Sequence, residues 1–318
     1  MEILKNELLR TEYTSRINKV QDYIEAHLDE TFTLDKLSHI ANFSSYHFHR
    51  IFSFITHETL YQYILRVRLE KAAMLLKINP KEPIIQIALR SGFANQASFA
   101  KAFKNYFNMS ASEFRTKVKS SCAFNKDIES NFGKVSKEGL CYNDISVEKQ
   151  SCIRALQEDL PFSVEVKNIS EMEVAYIRHT GPYEQDAKLF DELFTRLENW
   201  VKARVSYDSF HPQKLVITHD DPSLTSKGKL RVSVCMTVPK DIKAEGEVGR
   251  FTVLGGRYGV GHFELAPHQY GQAWALMYAK WLPQSSYEPD DRLSFELYLE
   301  NEPSSANGKE VVLIYIPV

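Results

Sequence analysis

The sequence predicts an all-α double helix-turn-helix domain followed by an α+β domain of two pseudo-symmetric β-α-β-β units. Three observations carry this reading. A pair of short helices with a polar second member recurs fifty-one positions further along. The apolar period changes from helical to alternating near Val164. Beyond that point one order of strand, helix, strand and strand occurs twice.

Residues 15–28 read as a first helix, with Ile17, Val20, Ile24 and Leu28 in its stripe. Thr33 precedes a short segment whose apolar residues are Leu34, Leu37, Ile40 and Ala41. Asn42-Phe43 then leaves room only for a tight turn, and Asn tolerates the left-handed conformation such a turn needs. The next helix, capped by Ser44 or Ser45, has Phe48, Ile51, Phe52 and Ile55 on one face. Tyr46, His49, Arg50 and Ser53 lie on the other, all able to donate hydrogen bonds. Thr59-x-x-Gln62 is a capping box that opens a helix to about Lys77. About 18 residues at 1.5 Å each span roughly 27 Å, near the ~34 Å between successive major-groove faces of a duplex.

The second unit repeats the first. Phe99 and Phe103 echo Phe48 and Phe52, and Lys101 echoes Arg50. Pro83 suits a first helical turn, Ser91-Gly92-Phe93 makes the turn, and Asn95 caps the second polar helix, whose outer face carries Ala97, Ser98, Lys101 and Asn105. Ser110-x-x-Glu113 is another capping box, opening a short helix through Lys117. Residues 119–157 show no strong periodicity and read as a linker, with short structure near Val147 to Leu156.

From Val164 the strands and helices alternate. Strands are expected over Val164 to Lys167, Val174 to His179, Lys214 to His219 and Leu230 to Val238, with a helix from Gln185 to Arg204 between the second and third. Arg250 to Phe263 reads as strand and hairpin, Pro267 to Leu282 as helix, and Leu293 to Leu299 and Val311 to Ile316 as strands. The domains are therefore placed at 1–118, 119–157 and 158–318.

Composition excludes several classes. The chain of 318 residues has no run of 18 or more apolar residues, and Met1 to Glu7 lacks the basic start and apolar core of a signal peptide. Its four cysteines have no C-x-x-C spacing, which fits a reducing cytoplasm without zinc or disulfides. Residues 1–120 hold 17 Lys and Arg against 12 Asp and Glu, while the remainder holds 22 against 29. The basic excess at the N-terminal end favours phosphate. His47-x-His49 points its rings to different sides of a helix and makes no metal site. Gly255-Gly256…Gly259…Gly261 opens no helix and is not a dinucleotide loop. No cofactor is expected.

The segment Gly92-Phe93-Ala94-Asn95-Gln96-Ala97-Ser98-Phe99-Ala100-Lys101-Ala102-Phe103-Lys104-Asn105-Tyr106-Phe107, followed by Phe114-Arg115, resembles the signature of the AraC/XylS family of transcription regulators, and the resemblance covers residues 15–118. His57 and Asn108 stand where that family often has Gly, and Ala111 where it often has Pro. The C-terminal half resembles the GyrI-like effector-binding domain through Val174 to Tyr183, Gly255-Gly256-Arg257-Tyr258, Trp281-Leu282-Pro283, Phe295 to Leu299 and Tyr315-Ile316-Pro317. His262-Phe263-Glu264-Leu265 departs from its usual His-Thr-Gly-Pro. The order of the two resembles Rob-type regulators.

The resemblance implies a cytoplasmic, non-enzymatic transcription regulator, an activator, working with RNA polymerase and away from membranes. Tyr46, His49 and Arg50 are expected at base edges in one major groove of double-stranded DNA, and Gln96, Ser98 and Lys101 in the next. Two modules in one chain supply two half-sites, so a monomer is expected on DNA. The resemblance further implies a small, apolar or cationic effector held between the two C-terminal copies. Residues 293, 295, 297 and 299 alternate with Ser294, Glu296 and Tyr298. If helices cover the apolar face, Glu296 points to the concave side, together with Arg231, Ser233, Cys235 and Thr237. A carboxylate amid tyrosines suits a cation, and Tyr176, Tyr298 and Tyr315 are the further ligand candidates. Two alternatives stand beside this reading: a hydrolase using a pocket Glu and Tyr for proton transfer, and a C-terminal half that only contacts protein partners.

Overall fold

The computed structural model describes residues 2–79, 81–122, 160–183, 186–290, 292–299 and 309–318, without the side chains of 2–10, 119–122 and 279. Most of the expected linker lies outside the described residues. The first helix, α1 (Glu2–Ala26), begins well before the predicted start because residues 2–14 contain neither Gly nor Pro to stop it. Helices α2 (Leu34–Ile40) and α3 (Ser45–Thr56) follow, with Asn42 left-handed between them at φ 52°. Ser44 Oγ accepts from the His47 amide to cap α3.

Helix α4 (Leu60–Ile78) opens on the expected capping box: the Thr59 amide donates to Gln62 Oε1 at 2.9 Å while the Gln62 amide donates back to Thr59 Oγ1 at 3.3 Å. Helices α5 (Ile84–Arg90), α6 (Gln96–Phe107) and α7 (Ala111–Cys122) repeat the arrangement, and Ser110 and Glu113 make the second reciprocal cap. His57 and Asn108 take left-handed φ of 56° and 53° after the two polar helices. The turn is kept, but on residues for which that conformation carries a cost.

Each module has its own core. Ile17, Val20, Ile24, Leu37, Phe48, Phe52 and Tyr63 form one, and Leu69, Leu75, Ile87, Phe99, Phe103 and Phe107 the other. Helix α4 belongs to both, its first half in one core and its second half in the other.

The C-terminal half is one eight-stranded antiparallel sheet in the order β1-β6-β8-β7-β3-β4-β2-β5. The strands are β1 (Ser163–Ile169), β2 (Met172–Thr180), β3 (Lys214–Thr218), β4 (Arg231–Thr237), β5 (Gly249–Val253), β6 (Gly256–Leu265), β7 (Phe295–Tyr298) and β8 (Glu310–Pro317). The two β-α-β-β copies sit side by side and meet where β3 pairs with β7. The hairpin expected over Arg250 to Phe263 does not form. β5 pairs with β2 of the first copy, and β6 pairs with β1 and β8. Each copy thus takes its outer strand from the segment that precedes the other. The β5–β6 link packs so tightly on the β1–β2 link that a side chain at Gly255 would strike the backbone of Ile169 to Glu171.

One face of the sheet carries helix α8 (Ala187–Lys202) over Ile177, Val216, Val232 and Val234. It also carries α9 (Tyr270–Ala275), continued by a π-helical turn (Leu276–Trp281) and α10 (Leu282–Gln284), over Phe263, Val312 and Ile314. The opposite face gathers Tyr176, Leu215, Ile217, Cys235, Tyr258, Phe295, Leu297 and Tyr315.

Gly92 is the most constrained turn residue. Its φ is +82°, and a Cβ there would run into the Leu28 carbonyl oxygen, which already accepts from Arg68 Nε at 3.0 Å. Gly92→Ala should lower unfolding stability by about 2 kcal/mol or more, from the left-handed cost plus the clash. Urea denaturation of the full chain measures this, and an unchanged midpoint would contradict it.

Candidate DNA-reading surface and ligand pocket

Phe48 and Phe52 anchor α3 from below, which turns Tyr46, His49 and Arg50 outward; Tyr46 is 68% exposed. Arg50 Nη1 donates to the Tyr46 hydroxyl at 3.2 Å and its guanidinium lies over the Tyr46 ring at 5.7 Å. The pair holds the guanidinium on the outer face rather than leaving it to swing. Phe54, one turn beyond Arg50 and 72% exposed, joins this face. It went unnoticed in the sequence because its neighbours Phe48 and Phe52 are core.

In α6 the same anchoring by Phe99 and Phe103 leaves Gln96, Ser98 and Lys101 exposed. The Ser98 hydroxyl donates to the Asn95 carbonyl at 2.9 Å, so it is tied to the cap of its own helix. The structure therefore sets all six predicted reading residues on solvent-facing helix surfaces.

The ligand candidates divide. Glu296 and Tyr298 share the helix-covered face, and Glu296 stands opposite Val216 and Ile314 in the register. The expected layering is thus inverted: Phe295 and Leu297 face away from the helices, and Arg231, Ser233, Cys235 and Thr237 lie on the side opposite Glu296. Alternation separated the two faces within each strand but wrongly grouped Glu296 with Arg231, Ser233, Cys235 and Thr237. It did not say which layer covers which, because both are buried.

Glu296 is 6% exposed. Trp274 Nε1 donates to Oε1 at 2.6 Å and the Tyr298 hydroxyl to Oε2 at 2.9 Å. Tyr298 packs edge-on against Phe194 of α8 and stacks on Tyr270 of α9, whose hydroxyl donates to Glu310 at 2.8 Å. Burial raises the carboxyl pKa of Glu296 above the usual range. The Trp274 and Tyr298 bonds pull it back, and the charge of Glu310 adds to the rise. Among the described residues no Lys, Arg or His pairs with it. Tyr270, Trp274 and Tyr278 were missed, although their spacing of four on one helix is an aromatic stripe readable in the sequence.

Tyr176 and Tyr315 lie on the other face. The Tyr315 ring stacks on Phe295 at 4.4 Å. The Tyr176 hydroxyl donates to Asp22 of α1. Neither approaches Glu296 from its own side of the sheet, so the structure does not bring them into the group formed by Glu296 and Tyr298.

A profile of the GyrI-like small molecule binding domain matches residues 162–318, and a helix-turn-helix domain profile matches residues 37–117. The Tn10 transposon TetD protein of Escherichia coli is 37% identical over 103 residues, covering 32% of this chain and 74% of TetD. The multiple antibiotic resistance protein MarA of Escherichia coli strain K12 is 34% identical over 99 residues, covering 31% of this chain and 77% of MarA. The chain belongs to the AraC-type helix-turn-helix family. It is a DNA-binding transcription regulator carrying a C-terminal GyrI-like domain. The transcriptional regulator Rob of Salmonella typhimurium is 34% identical over 93 residues, 29% of this chain but only 32% of Rob.

In this AraC-type regulator the GyrI-like sheet docks its helix-free face on the DNA-binding domain through buried charge. Arg178 of β2 donates to Asp22 at 2.7 Å and to Ser233 at 3.2 Å. Arg231 of β4 donates to Asp220 at 2.5 and 2.8 Å, to the Tyr63 hydroxyl at 2.6 Å and to Glu25. His219 Nε2 lies 2.8 Å from Ser233 Oγ, and its Nδ1 is 3.5 Å from Glu25. Burial pushes the Glu25 carboxyl up, but Arg231 above all, with His219 and Arg178, holds it well below the usual range. Burial, reinforced by Arg178, lowers the pKa of His219. Sequence reading named Arg231 and Ser233 only as polar-face neighbours of Glu296 and missed the seam these residues form. Charged side chains inside apolar strands were the available signal, but nothing named the partners.

The raised pKa of Glu296 has a definite consequence for stability. The unfolded carboxyl ionises in the usual glutamate range, while the folded one stays protonated to higher pH. The unliganded fold is therefore favoured at acid pH and loses that share of stability as pH rises through the folded pKa. Glu296→Gln should raise the melting temperature at pH 8 and change it less at pH 4. Equal shifts at both pH values would mean that the folded carboxyl titrates normally.

Proposed function

We propose that the chain is an activator that reads two successive major grooves as a monomer and responds to a cationic, largely apolar effector held at Glu296. One observation supports the effector reading best: a buried carboxylate with two neutral hydrogen-bond donors and, among the described residues, no cationic partner, walled by Trp274, Tyr270 and Tyr298. Leaving such a group uncompensated is costly, and a bound cation offsets that cost by charge and by cation–π attraction. We place the protein in the cytoplasm, in contact with RNA polymerase at its promoters. No helix among the described residues is long and apolar enough to cross a membrane.

On DNA, Arg50 suits the O6 and N7 acceptors of a guanine, and Phe54 suits a thymine methyl. Lys101 in the second module presents a point charge rather than a planar fork, so the second half-site is read more loosely. Two grooves one turn apart plus flanks amount to an asymmetric site of about 20 base pairs.

Arg50→Ala should cost about 1–3 kcal/mol of discrimination at one base pair. Competition binding against single-base variants of a selected site measures it. An equal loss on every sequence would reduce Arg50 to a phosphate contact.

Isothermal titration of the full chain with a matched pair of ligands, a quaternary aryl-ammonium compound and its neutral carbon isostere, tests the pocket. The cation should bind more tightly as pH rises through the raised folded pKa of Glu296 and the carboxyl ionises. Glu296→Gln should weaken the cation by roughly 1–3 kcal/mol and leave the neutral ligand unchanged. Equal losses for both would mean that Glu296 shapes the site without selecting charge. Turnover of a bound ester would favour the hydrolase alternative instead.

A further inference from the structure

The segment 219–231, the loop between β3 and β4 with the first residue of β4, lies along α4. At one end Asp221 accepts from Lys77 Nζ at 2.8 Å, and Ser223 Oγ accepts from the same amine at 3.1 Å. Leu224 packs against the core of the second module. At the other end Lys229 Nζ donates to Glu58 at 2.7 Å, just before α4 begins. Between them Arg231 reaches the Tyr63 hydroxyl at 2.6 Å. The loop therefore touches α4 near its first turn, on its second turn and near its last, a span of about 25 Å at the helical rise.

The loop is itself stiffened. The Ser223 amide and hydroxyl donate to Asp221 Oδ1 at 2.9 and 2.6 Å, and the Leu224 and Thr225 amides both donate to the Asp221 carbonyl at 2.9 Å. Its anchors in α4 are likewise held. Glu58 takes Arg66 at 2.6 Å, Arg66 takes Glu70 at 2.9 Å, and Glu70 accepts from Tyr106 of the second reading helix at 2.8 Å. The carboxyl of Glu58, which burial alone would push up, is held below the usual range by Arg66 and Lys229.

Helix α4 is the shared element of the two module cores. Any bend or roll in it changes the distance and angle between α3 and α6. A loop fastened at both ends of α4 resists that change. We propose that residues 219–231 of the GyrI-like domain act as a brace on α4, and that Asp221 and Lys229 are positioning residues through which this domain sets the half-site spacing that the DNA-binding domain accepts. This rests on the two-groove reading given above. The brace touches no base. It acts by making one separation of the reading helices cheaper than its neighbours.

Selection of bound duplexes from a randomised DNA library by the full chain provides the test. The wild-type chain should enrich two half-site sequences at one fixed separation, about one helical turn centre to centre. The double variant Asp221→Ala, Lys229→Ala should enrich the same two sequences with the preference for that separation over its neighbours reduced about tenfold. Its affinity for an isolated half-site should be unchanged. Lys77→Asp alone should act in the same way, and adding Asp221→Lys to it should restore the preference by reversing the pair. A double variant that keeps the wild-type spacing preference overturns the brace, and so does one that loses half-site affinity in equal measure. A wild-type chain that enriches only one isolated half-site overturns the two-groove reading itself, and the brace falls with it.

Discussion

The buried guanidinium of Arg231 is the constraint on which the arrangement of the two domains depends. It is 2% exposed and bound to Asp220 within its own domain and to Glu25 and Tyr63 across the seam. Burying a charge is unfavourable unless it is paired and hydrogen-bonded. Arg231 cannot give up its proton to escape that cost. The geometry that satisfies every donor is therefore narrow, and it pins β4 to α1 and α4 in one register. Arg178 pairs likewise with Asp22, though its Nη1 has no hydrogen-bond partner. Such pairs add little net stability compared with apolar packing, but misalignment is expensive. Their work here is to define how one domain meets the other.

The two faces of the sheet follow from this. The helix-free face is given over to the seam and its aromatic underlayer, so Tyr176 serves Asp22 and Tyr315 serves Phe295. Among the described residues, Glu296, the carboxylate without a cationic partner, lies on the face beneath α8 and α9. The division of labour lies between the layers of one sheet, and β3 connects them: Val216 stands opposite Glu296, and His219, a few residues along, stands at Glu25.

Much of the fold was legible because it is local. Caps at Ser44, Thr59, Asn95 and Ser110, the left-handed Asn42 and the Phe48–Phe52 and Phe99–Phe103 pairs all act within one or two turns of helix, and each is found where the sequence puts it. The exposure of the six proposed reading residues was legible for the same reason, since the faces of an amphipathic helix are fixed by its period. The Glu296 neighbourhood was legible only by half. Period two separates Glu296 and Tyr298 from Phe295 and Leu297, but it is silent on which side a helix lands. Both sides of this sheet are buried, so polarity did not decide. Tyr176 and Tyr315 were placed by residue type alone and went to the wrong side. The partners of Arg178, Arg231 and His219 across the seam, Asp22, Glu25 and Tyr63, belong to the other domain, and no local pattern encodes them.

The exchange of outer strands has a consequence for how such a domain arises. β5 completes the copy that begins with β2, and β1 completes the copy that begins with β6. A chain holding one copy alone would fold with an open edge and a loose strand of matching shape. Two such chains would close by trading strands about a twofold axis. The present domain has the strand pairing of such a swapped homodimer within a single polypeptide. Within one polypeptide the halves need not be identical, so Glu296 of one copy can stand opposite Val216 of the other, where a homodimer would carry the same residue twice.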